Sequence, residues 1–173
     1  MTMNKSSAPG PDGVGSAWYS QVWDSIKHDL ESLLQSFHNG TTDLERINRA
    51  HIVLIPKRPG TTTPDAFRPI SLQNFPVKLI TKVLTSRLQK QIGTLIDLDQ
   101  TGFMKGRSIL ENFVYDTELV QCCHQHRCAT LVLKLDFAKA FDSVEWSSLL
   151  EIIKVRGFPR LWCGWIKELL QTS

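Results

Sequence analysis

Asp136 occupies the position in this chain where one carboxylate could do the most chemistry. It stands near the end of a dense apolar run, ATLVLKLDF (129–137), whose β-branched and leucine content predicts a buried strand, and a turn toward a helix follows it. A carboxylate delivered to the C-terminal end of a strand is well placed to hold Mg2+ beside a phosphate, because oxygen ligands suit that hard cation. An aspartate after a strand serves as readily as a turn former or helix cap. Asp142 takes that second role in this reading, since Asp142 with Glu145 has the D-x-x-E spacing of a helix N-cap and its reciprocal partner.

The cations lie elsewhere. Between Arg46 and Arg107 there are eleven Lys or Arg against three acids, whereas the remainder has nine against fourteen, so a net charge of +3 hides a basic middle. That segment suits a polyanionic partner, or forms a solvated basic face. Within it, QTGFMKGR holds Gln100, Gly102, Lys105, Gly106 and Arg107, and its glycines would let the backbone come close to nucleic acid. An ordinary loop closed by a helix cap accounts for the same residues. The cluster CCHQHRC (122–128) has zinc-binding residue types, but adjacent Cys122 and Cys123 point different ways and no second pair follows at finger spacing. With Cys163 these make four cysteines, not spaced as a secreted disulfide framework, so reduced thiols are expected.

The elements that must carry these residues follow from periodicity and breakers. APGPDGVG (8–15) is a turn-rich loop, and Trp18, Val22, Ile26, Leu30, Leu33, Leu34 and Phe37 recur at helical steps up to His38-Asn39-Gly40. HIVLI (51–55) and FRPISL (67–72) flank a Gly- and Thr-rich loop and predict a two-stranded finger with Lys57 and Arg68 on its arms. A helix over about 77–92 places Leu79, Ile80, Val83, Leu84, Leu88 and Ile92 inward and leaves Lys78, Lys82, Arg87 and Lys90 to solvent. Ser108 with Glu111 opens another helix, running through about Val120. Helices over about 144–156 and 160–171 close the chain around the Gly157-Phe158-Pro159 break. No apolar run reaches the length of a membrane span and the first residues lack a signal-peptide pattern, so an intracellular protein is expected, with no membrane partner.

DFAKAFDSV (136–144) resembles the first catalytic motif of reverse transcriptases of the non-long-terminal-repeat (LINE-type) retrotransposons. APGPDG, HIVLIPK leading to FRPISL, VKLITKVLTSRLQKQI and DQTGFMKGRSILENF resemble that family's successive blocks in the same order, so the likeness covers nearly the whole chain. It implies an α+β fold, the fingers and partial palm of a right-hand polymerase: helix-rich, with a β finger hairpin and an incomplete antiparallel palm sheet. Fingers and connecting helices would extend to about residue 128 and the start of the palm over 129–173. By the same resemblance Asp136 is one of the aspartates that coordinate paired Mg2+ ions. Lys57 and Arg68 clamp the triphosphate of a deoxynucleotide, Arg68 through a planar fork and Lys57 as a mobile charge. The backbone amides of Lys139 and Ala140 face that triphosphate. Phe141 crowds a ribose 2′-hydroxyl, although its spacing suits core packing equally. RNA template and DNA primer are the implied partners, met by the 100–107 loop.

The family's later motifs, a Gln-Gly loop and a hairpin with an adjacent Asp-Asp pair, do not occur in this sequence, and neither does a thumb. The expectation is therefore a polymerase fragment that is inactive alone, with Leu131, Leu133 and Leu135 poorly covered. Two other readings compete. One is a non-enzymatic nucleic-acid-binding module using residues 46–107, and the other is a helical interaction surface built on Trp162, Trp165 and Leu169.

Overall fold

The computed structural model describes residues 6–137, 139 and 142–172. Its elements are α1 (Ser16–Gln21), α2 (Trp23–His38), α3 (Leu44–Ile47), β1 (Ala50–Pro56), β2 (Phe67–Gln73), α4 (Phe75–Leu88), α5 (Ile92–Leu95), α6 (Ile109–Gln125), α7 (Trp146–Val155) and α8 (Arg160–Gln171). They fall into two compact units, residues 1–83 with 146–173 and residues 84–145.

In the first unit, the single helix expected after the Gly-rich loop is interrupted at Val22, which leaves helical geometry at φ −98° and ψ 12° and ends α1. Leu30 and Phe37 of the apolar stripe are buried, whereas Trp18 stays about half exposed. Phe37 and His38 meet the Trp165 ring at centroid distances of 5.8 and 5.3 Å, so Trp165 on α8 is core and not a docking surface. Asn48 joins the same region from the end of α3. Buried to 2% exposure, it donates Nδ2–H bonds to the Leu169 carbonyl at 2.8 Å and to Thr172 Oγ1 at 2.9 Å, holding the last turn of α8.

β1 and β2 form an antiparallel hairpin in the register Ala50↔Gln73 through Pro56↔Phe67, as the β-branched runs predict. Both arms are largely solvent-exposed, with Ile52, Val53, Leu54, Ile55 and Ile70 all uncovered, and among the described residues the hairpin has no further strand beside it. α4 starts two residues earlier than periodicity predicts and stops at Leu88. Its most buried side chains are Phe75, Val77, Ile80 and Leu84. Leu79, Val83, Leu88 and Ile92 are only partly covered. Lys78 is drawn back from solvent, its Nζ donating to the Ala8 carbonyl at 2.7 Å.

The APGPDG loop packs on the junction between β2 and α4. A Cβ on Gly10 would lie 2.4 Å from the Gln73 carbonyl carbon and oxygen, so only glycine fits that approach. Asp12 N–H donates to Asn74 Oδ1 at 2.9 Å, Phe75 N–H donates to Asp12 Oδ2 at 3.1 Å, and Asn74 Nδ2 donates to the Ile47 carbonyl at 2.9 Å. Tyr19 stacks on Phe75 with ring centroids 3.6 Å apart.

In the second unit, Ser108 caps α6 by accepting from Leu110 N–H at 3.2 Å, and α6 continues beyond Val120 to Gln125. Its C-terminus is a Schellman turn: Cys128 N–H bonds to the Cys123 carbonyl, Arg127 N–H to the His124 carbonyl, and Arg127 adopts φ 53°. CCHQHRC thus builds a helix end. No cluster of three or more potential metal ligands occurs among the described residues, and the four cysteines are free thiols.

The segment 129–137 departs from expectation because it pairs with no strand among the described residues. The physical reason is the partner: its apolar pattern suits a strand buried on both faces, but among the described residues no neighbouring strand completes its backbone hydrogen bonds. Leu131, Val132, Leu133, Leu135 and Phe137 are strongly exposed. No helix of the described residues is long and apolar enough to cross a membrane.

Replacing Asn48 with alanine removes two bonds from the α8 terminus and is expected to cost about 1–3 kcal/mol, measured as a shift in urea midpoint. A second prediction concerns alkali. Burial, and secondarily the Asp12 carboxylate, raise the Tyr19 phenol above its ordinary value. The folded chain therefore keeps this proton where the unfolded chain has lost it. The associated stability is intact below about pH 10 and declines as pH rises toward the raised pKa. Urea midpoints followed from neutral into alkaline buffer should fall less in Tyr19→Phe than in the wild type.

Candidate functional site

The hairpin sets Lys57 and Arg68, two of its three Lys and Arg residues, on one face. Side chains alternate along a strand, and the pairs Ile55↔Arg68 and Val53↔Ile70 share one face. Lys57 N–H bonds to the Ala66 carbonyl at 2.8 Å, extending the ladder one step beyond β1, so Lys57 falls on the Arg68 face. Beyond Lys57 the chain turns through Gly60 at φ 74°, and a short 3-10 turn, Pro64–Ala66, returns it to β2. Lys57 Nζ donates to the Asp65 carbonyl at 2.8 Å across this tip. Arg68 makes no ion pair among the described residues, and its side chain is exposed.

The loop ahead of α6 is braced from within. Arg107 Nη1 donates to the carbonyls of Asp97, Leu98 (3.4 Å) and Gln100 (2.7 Å), while Asn112 Nδ2 donates to the Asp99 carbonyl at 2.7 Å. Gln100 Nε2 reaches the Gly102 carbonyl at 3.3 Å, and Gly106 takes φ 82°. Arg107 and Gln100 therefore shape this loop, whereas Lys105 projects into solvent. Phe103, not singled out from sequence, sits at the loop's apex with φ 61° and 91% exposure. The GF dipeptide beside two cations was the available signal for an exposed aromatic in a basic loop.

Asp136 is exposed within the unpaired segment 129–137. The turn that follows centres on Lys139, at φ 52°, whose carbonyl accepts from Asp142 N–H at 2.9 Å and Ser143 N–H at 3.0 Å. α7 begins only at Trp146, so Asp142 belongs to this turn and does not cap the helix. The Lys139 amide likewise precedes the helix by several residues. Ala140 and Phe141 lie outside the described residues. Lys57 and Arg68 belong to the first unit; Asp136, Lys139 and the loop with Gln100, Gly102, Lys105, Gly106 and Arg107 belong to the second.

Asp12 and Asn74 escaped the sequence reading, since each looks like a turn residue locally. The signal was Asn74-Phe75-Pro76, a cap residue ahead of a proline in a helix's first turn, which reads as a helix start.

The model of the reverse transcriptase (RNA-dependent DNA polymerase) family matches residues 55–173. The chain is 28% identical over 174 residues to the transposon TX1 uncharacterized 149 kDa protein of Xenopus laevis, a match covering all of this chain and 13% of that protein. It is 29% identical over 155 residues to a retrovirus-related Pol polyprotein from type-1 retrotransposable element R2 of Nasonia vitripennis, covering 90% of this chain and 14% of the relative. The polyprotein from type-2 element R2DM of Drosophila melanogaster is 28% identical over 163 residues, covering 94% and 15%. The chain thus spans about one seventh of the length of these relatives.

Replacing Arg107 with alanine frees the carbonyls its guanidinium gathers. Amide hydrogen exchange over 97–107 should rise about tenfold, equivalent to roughly one hydrogen bond, with little change in the hairpin.

Proposed function

Because the chain belongs to the reverse transcriptase family, we propose that it supplies the nucleotide-gripping fingers and the first metal-binding aspartate of a retrotransposon RNA-directed DNA polymerase. The observation that carries this reading is the placement of Lys57 and Arg68 on one face of an exposed hairpin. Two cations at neighbouring positions grip a triphosphate from one side, and the Arg68 guanidinium offers the two-pronged donor that phosphate oxygens match. Residues up to about 128 serve as fingers and connecting helices, with 129–173 as the start of the palm. The 100–107 loop meets an RNA template and DNA primer through Lys105 and its backbone, and Phe141 selects deoxyribose over ribose.

The donor chemistry fits Mg2+ only in part. The Asp136 carboxylate is exposed and has the oxygen ligands the ion prefers, but the described residues gather no set of three ligands around it. When bound, Mg2+ would supply charge neutralisation at the phosphates. One carboxylate does not assemble a two-ion site, so these 173 residues by themselves are expected not to extend a primer. The family match favours a polymerase segment over a stand-alone nucleic-acid-binding module.

Calorimetric titration with dTTP tests the grip. Arg68→Ala should weaken binding roughly 10- to 100-fold, the range of one or two charge-assisted hydrogen bonds, and Arg68→Lys should restore only part of it. Equal affinity in wild type and Arg68→Ala would refute the assignment. On a poly(rA)·oligo(dT) substrate with Mg2+ the isolated chain should incorporate nothing; incorporation lost in Asp136→Ala would show that the single aspartate suffices.

A further inference from the structure

The hairpin bearing Lys57 and Arg68 has no sheet neighbour among the described residues and exposes both faces, so its direction must be set where it joins the first unit. Asn74 stands at that root. It follows the last residue of β2, and its Nδ2 donates to the Ile47 carbonyl, three residues before β1, bracing the feet of the two strands against each other. Its Oδ1 accepts the Asp12 N–H, while Asp12 Oδ2 accepts the Phe75 N–H, one of the amides the first turn of α4 would otherwise leave unpaired. Backbone of the first residue meets side chain of the second, and side chain of the first meets backbone beside the second. This is the reciprocity of a capping box, here across more than sixty residues. Gly10 on Gln73 and Lys78 on the Ala8 carbonyl fix the same loop on either side.

We infer that Asp12 and Asn74 are positioning residues that aim the finger hairpin, and with it Lys57 and Arg68, at the nucleotide. The inference rests on the triphosphate role proposed above for those cations. Arg68 lies six residues from Asn74, about 20 Å along an extended strand, so a tilt of about 10° at the root carries its guanidinium about 3 Å. A displacement of that size removes a hydrogen bond to phosphate altogether. Neither Asp12 nor Asn74 needs to touch the ligand to control its affinity.

The test uses the full 173-residue chain, following hydrogen exchange by mass spectrometry and dTTP binding by calorimetry in wild type, Asp12→Ala, Asn74→Ala and Asp12→Asn. Both alanine variants should raise exchange in residues 50–56 and 67–73 by about tenfold, leave α2 and α8 protected, and weaken dTTP binding about fivefold or more. Asp12→Asn keeps an oxygen for the Phe75 amide and should recover most of both effects. Unchanged hairpin exchange, or protection lost evenly across the first unit as in plain unfolding, overturns the positioning role. A wild-type chain that binds no dTTP overturns the nucleotide reading instead, and the exchange pattern then decides the root's role on its own.

Discussion

The reciprocal pairing of Asp12 with Asn74 and Phe75 is the constraint that joins the N-terminal loop to the root of the hairpin. A two-stranded ribbon is marginal in water, and this one covers little of its own apolar surface. Its order has to come from the root. There the N-terminal loop, the end of α3 and the start of α4 converge on a few side-chain oxygens and nitrogens. On the other side of the root, Asn48 ties the residue preceding Arg49 and β1 to the last turn of α8. Two adjacent residues, Ile47 through its carbonyl and Asn48 through its side chain, therefore tie the base of the hairpin to the start of α4 and to the end of α8.

Much of this was legible locally. The hairpin arms are visible in HIVLI and FRPISL, and α8 lies where its apolar stripe and Pro159 place it. What periodicity could not supply were the long-range partners. Asp12 reads as a turn former, and nothing within several residues of it indicates that its carboxylate caps a helix in the seventies. Lys78 reads as a solvated lysine until the Ala8 carbonyl arrives beside it. The short α3 rests instead on a local cap, the Asp43 side chain accepting from Arg46 N–H at 3.4 Å.

The candidate site divides along the same line. Lys57 and Arg68 were correctly placed on the two arms, because strand alternation is a local rule. Arg107 was legible as a cation but not as the clasp of its own loop, since the carbonyls it gathers lie up to ten residues away. The run 129–137 shows the opposite failure: its composition is that of a strand, yet a strand exists only as a pair, and the described residues offer it none. The strand expected there is not formed, and its leucines stay exposed because nothing among the described residues packs over them.

The bond between Lys57 Nζ and the Asp65 carbonyl closes the hairpin tip with a side chain as well as with the backbone ladder. An ammonium carries three N–H donors and this bond occupies one, so in the triphosphate role proposed for Lys57 the other two would meet phosphate oxygens with the tip still closed. The 3-10 turn that presents the Asp65 carbonyl thereby fixes where the Lys57 ammonium rests.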